Sequence, residues 1–164
     1  MSQTPILENP AQATNLGGYR LTKYREAGGR ETTCFSAELT LNGATIATVR
    51  NDGNGGSNFY WFKTPQERDA FFAFATTWNA GTRLAGIEDE DEFVVYLSVV
   101  AAMNRQRKVA FVLDGDDFTG TGEYRTFPAR VTREEAVQAL RALPYSAQHP
   151  RVWDRDSAQF VAII

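Results

Sequence analysis

The sequence predicts an α+β fold: a single domain in which an antiparallel sheet packs against about three helices. Three observations carry this expectation. Phe35, Ala37, Leu39 and Leu41 occupy alternate positions ahead of Asn42-Gly43, the dipeptide best suited to a type I′ turn, so a β-hairpin begins here. Thr64-Pro65-Gln66-Glu67 and the Thr132/Glu135 pair are helix-opening signals, each placing a capping hydroxyl three residues ahead of a glutamate. Runs of strands come before runs of helices instead of alternating with them, which favours α+β over a parallel α/β sheet.

Residues 1–16 are polar, contain Pro5 and Pro10 and show no period, so they read as a flexible N-terminal arm that Gly17-Gly18 separates from a single domain over 17–164. Residues 19–25 alternate weakly as a first strand, and Ala27-Gly28-Gly29-Arg30 supplies a connection to the hairpin. A two-residue turn sets Leu41 opposite Ala44, Leu39 opposite Ile46 and Ala37 opposite Thr48. The opposite face then carries Cys34, Ser36, Glu38, Thr45 and Ala47. This register delivers the polar stretch 51–58 at the end of the second hairpin strand, near the start of the first.

The aromatic run 59–62 either covers the core from a loop or begins a short strand. A helix follows over 65–79, with Phe71, Phe74, Ala75 and Trp78 on one stripe and Gly81 as its stop. A second helix, over 89–107, carries acids 88–92 at its positive end and Arg105, Arg107 and Lys108 at its negative end. Its inward stripe is Phe93, Leu97, Val100 and Ala101. Residues 109–113 and 123–127 read as strands paired across a turn-rich connection. The helix opened by Thr132 turns Ala136, Val137, Leu140 and Leu143 inward before Pro144, and a terminal strand closes the chain over 158–164.

Composition narrows the function classes. Lys plus Arg number 17 against 20 for Asp plus Glu, and the net charge of −3 gives neither the footprint of a general nucleic-acid binder nor the dense negative surface of a DNA mimic. One cysteine, Cys34, allows no intramolecular disulfide, and one histidine, His149, argues against a zinc site built from His and Cys. No apolar run approaches the ~20 residues of a membrane span and no leader pattern is visible, so the expectation is a cytoplasmic protein without membrane association.

The most distinctive stretch is Asn51-Asp52-Gly53-Asn54-Gly55-Gly56-Ser57-Asn58. Such a run can set several backbone N–H groups on one concave side as an anion-binding nest, with Arg30, Arg50 and Lys63 nearby, and it equally suits a tight exposed turn. It is not a nucleotide-hydrolase phosphate loop, lacking the lysine and hydroxyl after the last glycine, and it has no G-x-G-x-x-G. The candidate binding residues are therefore Asn51, Asp52, Asn54, Gly55, Gly56, Ser57, Asn58 and Arg30, with Asn58 expected to face an open site. No cofactor is implied. Asp114, Asp116, Asp117 and Glu123 are the acids a hard cation would want, but a calcium loop counted from Asp114 has Thr119 and Arg125 where glycine and an acid belong. The aromatic run, flanked by Arg50 and Lys63, suits stacking on single-stranded bases or packing in a core.

Residues 31–58, from Glu31-Thr-Thr-Cys-Phe-Ser-Ala-Glu-Leu through Asn42-Gly43 to Gly55-Gly56-Ser57-Asn58, resemble a segment in small uncharacterised proteins of bacteriophages and other mobile elements. The resemblance covers about a sixth of the chain and transfers no catalytic role. It implies an accessory protein that acts on host or competing machinery by binding. The expected function is a small non-enzymatic binding protein that engages a host protein or an anionic small ligand through the Gly-rich loop. The alternative is a metal-dependent enzyme of nucleotide or nucleic-acid metabolism using Asp52, Asp114 and Asp116. Oligomeric state is left open, with the edge at 158–164 able to pair with another copy.

Overall fold

A computed structural model describes residues 6–163 and shows the α+β class: two four-stranded antiparallel sheets and four α-helices, one of them a single turn. The expected strands thus divide between two sheets. The chain forms two compact units, one spanning Asn15–Ala101 and the other built from the segments up to Thr14 and from Ala102 onward. No described helix is long and apolar enough to cross a membrane.

The first unit contains β1 (Tyr19–Ala27), β2 (Cys34–Leu41), β3 (Ala44–Asn51) and β4 (Phe59–Phe62), hydrogen-bonded in that order. Then follow α1 (Pro65–Asn79) and α2 (Asp89–Arg105), the latter belonging to this unit as far as Ala101. Thr64 caps α1 as expected, accepting a hydrogen bond from the Glu67 N–H. Of the stripe predicted for α1, Phe71 and Ala75 are buried while Phe74 and Trp78 are half-buried, and α2 buries all of Phe93, Leu97, Val100 and Ala101. Phe71 sits among the rings of Tyr19, Tyr60, Phe62, Phe72 and Phe93, all with centroids within 6.1 Å.

The hairpin differs from expectation by one residue, and the difference shapes the site. Leu41 does face Ala44, but a β-bulge beside Leu39 and Thr40 then makes Leu39 pair with Ala47 and Ala37 with Val49. Ile46 is the extra residue, and both it and Ala47 are buried. A one-residue shift exchanges the two faces of everything beyond it. Ala47, Val49 and Asn51 therefore turn inward, while Thr48 and Arg50, on the alternate positions, are exposed. A simple alternating register would have done the reverse. The apolar residues decide it, since burying Ile46, Ala47 and Val49 together requires the bulge.

The second unit contains β5 (Ala110–Val112), the single-turn α3 (Phe118–Thr121), β6 (Arg125–Thr126), α4 (Arg133–Leu140), β7 (Arg151–Asp154) and β8 (Gln159–Ala162). Its sheet order is β6-β5-β7-β8. The expected pairing of the strands on either side of Asp114–Gly122 is present, with Phe111 opposite Arg125. Thr132 and Glu135 form the full capping box at the start of α4. Phe111, Leu113, Leu140 and Val152 form this unit's core, with Phe127 and Tyr145 packed against it. Leu143 corrects the sequence reading, because α4 ends at Leu140 and the helical phase that would have carried Leu143 inward is lost; it is 77% exposed.

Of the expected flexible arm over 1–16, residues 1–5 lie outside the described residues. Ile6 and Leu7 donate backbone hydrogen bonds to Gly120 and Thr119. A 3-10 helix spans Pro10–Thr14, and Leu7 and Ala13 are buried. Two apolar side chains and two backbone hydrogen bonds hold this part of the arm to α3 and its surroundings.

Candidate functional site

The stretch 51–58 is organised from beneath by the side chain of Asn51, which is only 8% exposed. Its Oδ1 accepts from the Gly53 N–H (2.8 Å) and the Thr32 hydroxyl (3.2 Å). Its amide donates to the Gly56 carbonyl and to Asn58 Oδ1, each at 3.0 Å. All of the bonding capacity of one inward-turned amide is thus spent on ordering the loop. Thr32 Oγ1 also accepts from the Gly55 N–H (3.3 Å), and the Gly53 carbonyl accepts from the Glu31 and Thr32 N–H groups. The connection between β1 and β2 is thereby tied to the loop that follows β3.

The far end of the loop is held by the acids that open α2. Asn58 N–H donates to Asp91 Oδ2 (3.1 Å), the Tyr60 hydroxyl donates to Asp91 Oδ1 (2.6 Å), and the Ser57 hydroxyl donates to Glu88. Asp89, buried beside them, accepts from Asn79 and from the Gly86 N–H. The acid run is therefore more than a favourable charge at a helix start, because two of its members clamp 57–60. Asn58 faces this network instead of an open site: its Oδ1 accepts from the Asn51 amide and its own amide donates to the Tyr60 hydroxyl, so Asn58→Ala removes both bonds and is expected to cost about 1–2 kcal/mol.

Burial raises the Asp91 carboxyl above the usual carboxylate range, against the opposing pull of the Tyr60 hydroxyl and the Asn58 N–H. Burial, and then Asp91 itself, push the Tyr60 hydroxyl upward, so it stays a donor. The sign of the linkage follows. A carboxyl that holds its proton more tightly when folded makes the folded state gain stability as pH falls from the folded value towards the unfolded one, and lose it as pH rises through the same window. With Asp91→Asn, the melting-temperature advantage of wild type over variant is expected to grow as pH is lowered through the carboxylate range. An advantage that is constant with pH would remove Asp91 from this role.

Placed on this geometry, the expected site residues separate into two groups. Asn51, Gly53, Gly55 and Asn58 are joined by the network, while Asp52 pairs with Arg50 at 3.1 Å on the outer side. Gly56 through its carbonyl and Ser57 through its hydroxyl also join the network although both are exposed, and Asn54 is exposed on the rim. Arg30 lies in an open depression of about 600 Å³ lined by residues 26–33, which carries Glu26 and Glu31 as well. The N–H groups of Gly53, Gly55 and Asn58 all point to internal acceptors, and Glu31, Glu88 and Asp91 adjoin the loop. An anion at this loop would find these three donors spent and carboxylates beside it, and both weigh against one.

The carboxylates of the enzyme reading are each engaged otherwise. Asp52 belongs to the first unit and Asp114 and Asp116 to the second. Asp116 accepts from the Leu113 N–H and from two nitrogens of Arg125, which holds its carboxyl below the usual range. Asp114 lies 2.7 Å from His149 Nδ1, and Asp117 caps α3. Among the described residues no three His, Cys, Asp or Glu side chains are grouped to hold a metal ion.

What sequence reasoning left undivided is the aromatic run. As β4 it alternates: Tyr60 and Phe62 pack on Phe71 and Phe72, whereas Phe59 and Trp61 are 49% and 53% exposed on the other face. The two outer rings stack with centroids 6.1 Å apart, and the Arg50 guanidinium lies 5.4 Å from the Trp61 centroid. Strand parity alone, applied to 59–62, would have separated these pairs. No protein family, curated protein or solved structure matches the chain.

Proposed function

We propose that this chain is a non-enzymatic binding protein that engages a protein partner through the outward face of β4 and the adjoining rim of 51–58. One observation carries the reading: Phe59 and Trp61, two large aromatic side chains on an edge strand, stack on each other in solvent with Arg50 against them. Exposed aromatic and arginine side chains of this kind are the commonest anchors of protein interfaces. The strand is also placed for recognition, because Asn51, Asp91 and Tyr60 fix the loop at its start, so little ordering entropy is lost on binding. The rim beside it carries Asp52, Glu31 and Glu88, which favours a partner that sets basic groups around an apolar anchor. An accessory role in a phage or mobile element, implied by the resemblance of 31–58, fits a protein that acts by occupying a host surface.

The test is affinity capture from host lysate with wild type and Trp61→Ala in parallel. The partner retained by wild type is expected to bind the variant about 30-fold more weakly, with melting unchanged because the ring is half in solvent. Equal recovery by both proteins would sink the proposal.

A further inference from the structure

We propose that the unit built from Ala102 onward carries a separate site for a small ligand bearing several phosphate groups. A cavity of about 580 Å³ opens between the segment after α2, the turn leading into α4, and the end of β7, all within this one unit. Five cationic side chains line it: Arg107, Lys108, Arg130, Arg133 and Arg155. The lining carboxylates are Asp154 and Asp156, and Asp154 is turned to its own β-turn, accepting from the Ser157 N–H at 2.9 Å. An excess of positive charge is thus gathered in one concavity of a chain whose net charge is −3.

The cations differ in their restraints. Arg133 donates to the Trp153 carbonyl (3.1 Å) and Arg155 to the Gln106 carbonyl (3.0 Å). Each guanidinium is anchored by one bond to backbone and keeps further donors for a ligand. Arg107, Lys108 and Arg130 are exposed, and no hydrogen-bond or ion-pair partner holds them among the described residues. Like charges held together repel until a counter-anion arrives, and the arginine fork matches phosphate oxygens two at a time. The start of α4 adds little, since Thr132 and Glu135 satisfy each other there.

Size and chemistry select a small phosphorylated ligand over a nucleic-acid strand. The volume lies within the ordinary range for small-molecule sites. Strand binding would want an exposed ring to stack bases, and the aromatic ring lining this cavity, Trp153, is buried with its indole N–H donated to Asn104 at 2.8 Å.

Calorimetric titration of the full chain with inorganic tripolyphosphate at low salt tests this. One site is expected, weakening as salt is raised and weakening about tenfold or more in the Arg107→Gln, Arg130→Gln double variant. Melting of that variant is expected to match wild type, because both side chains are exposed and neither makes a hydrogen bond or ion pair among the described residues. ATP in a parallel titration separates the sources: equal affinity indicates that the phosphate chain alone is recognised, and tighter binding that a nucleoside is read as well. Absence of tripolyphosphate binding to wild type, or undiminished binding to the variant, would overturn the proposal. So would a single-stranded oligonucleotide that binds more tightly than tripolyphosphate and loses its affinity in the same variant.

Discussion

Phe71→Ala is expected to lower the stability of the protein by about 3–5 kcal/mol, the largest effect of any single truncation in the first unit. Phe71 is fully buried and is the ring through which α1 meets three other elements: Tyr19 of β1 edge-on at 5.2 Å, Tyr60 and Phe62 of β4, and Phe93 of α2, stacked at 5.7 Å. Alanine would remove the apolar area and leave a space that five surrounding rings, each fixed by its own neighbours, cannot close. Phe71→Leu separates the two contributions. It keeps most of the buried area but loses the ring geometry, and about 1–2 kcal/mol is expected from lost aromatic pairing and changed shape. Urea denaturation measures both variants, with a lower midpoint and an unchanged slope as the expected signature. A cost below about 1 kcal/mol for Phe71→Ala would mean that this cluster does not hold the unit together.

The parts of the fold legible in the sequence are those set by neighbours in the chain. The turn at Asn42-Gly43, the hydroxyl caps at Thr64 and Thr132, and the stripe of Phe93, Leu97, Val100 and Ala101 each follow from residues within one or two turns of each other. What escaped depends on contacts between distant residues. The bulge beside Ile46 is one such case, because only the demand to bury Ile46, Ala47 and Val49 together selects it over plain alternation. Leu143 is another, since an inward position for it depends on a helix that stops at Leu140. The division of the strands between two sheets also has no local signal, as a strand's own sequence does not say which neighbours it will find.

The site is only partly legible in sequence for the same physical cause. Gly53 and Gly55 advertise a tight loop, but the residues that secure it lie well outside it: Thr32 on the preceding connection, and Glu88 and Asp91 on α2. The positions of those two acids in sequence point only to partners of the helix dipole. The basic cavity was invisible for a similar reason. Its cations come from 107–108, 130–133 and 155, each an unremarkable surface residue until the sheet and α4 bring them to one concavity.

The loop itself makes the sharpest prediction, because its three glycines stand in three different situations. Gly53 has φ +79°, and a Cβ there would lie 2.7 Å from the Gly29 Cα and 3.1 Å from the Thr32 carbonyl, both backbone. Neither can withdraw without breaking the bonds that the Glu31 and Thr32 N–H groups make to the Gly53 carbonyl. Left-handed strain and forced separation of two chain segments add, so Gly53→Ala is expected to cost about 2–4 kcal/mol. Gly55 has φ +84°, but the close atom is the carboxylate of Glu31, at the free end of a flexible side chain, and Gly55→Ala should cost about 1 kcal/mol from backbone strain alone. A Cβ on Gly56 would meet nothing within 4 Å, and Gly56→Ala should fall within about 0.5 kcal/mol of wild type. Thermal or urea denaturation of the three variants should rank them in that order. If Gly53→Ala melted with Gly56→Ala, the contact between the two loops would not be what orders this site, and the rigid base assigned to the β4 surface would go with it.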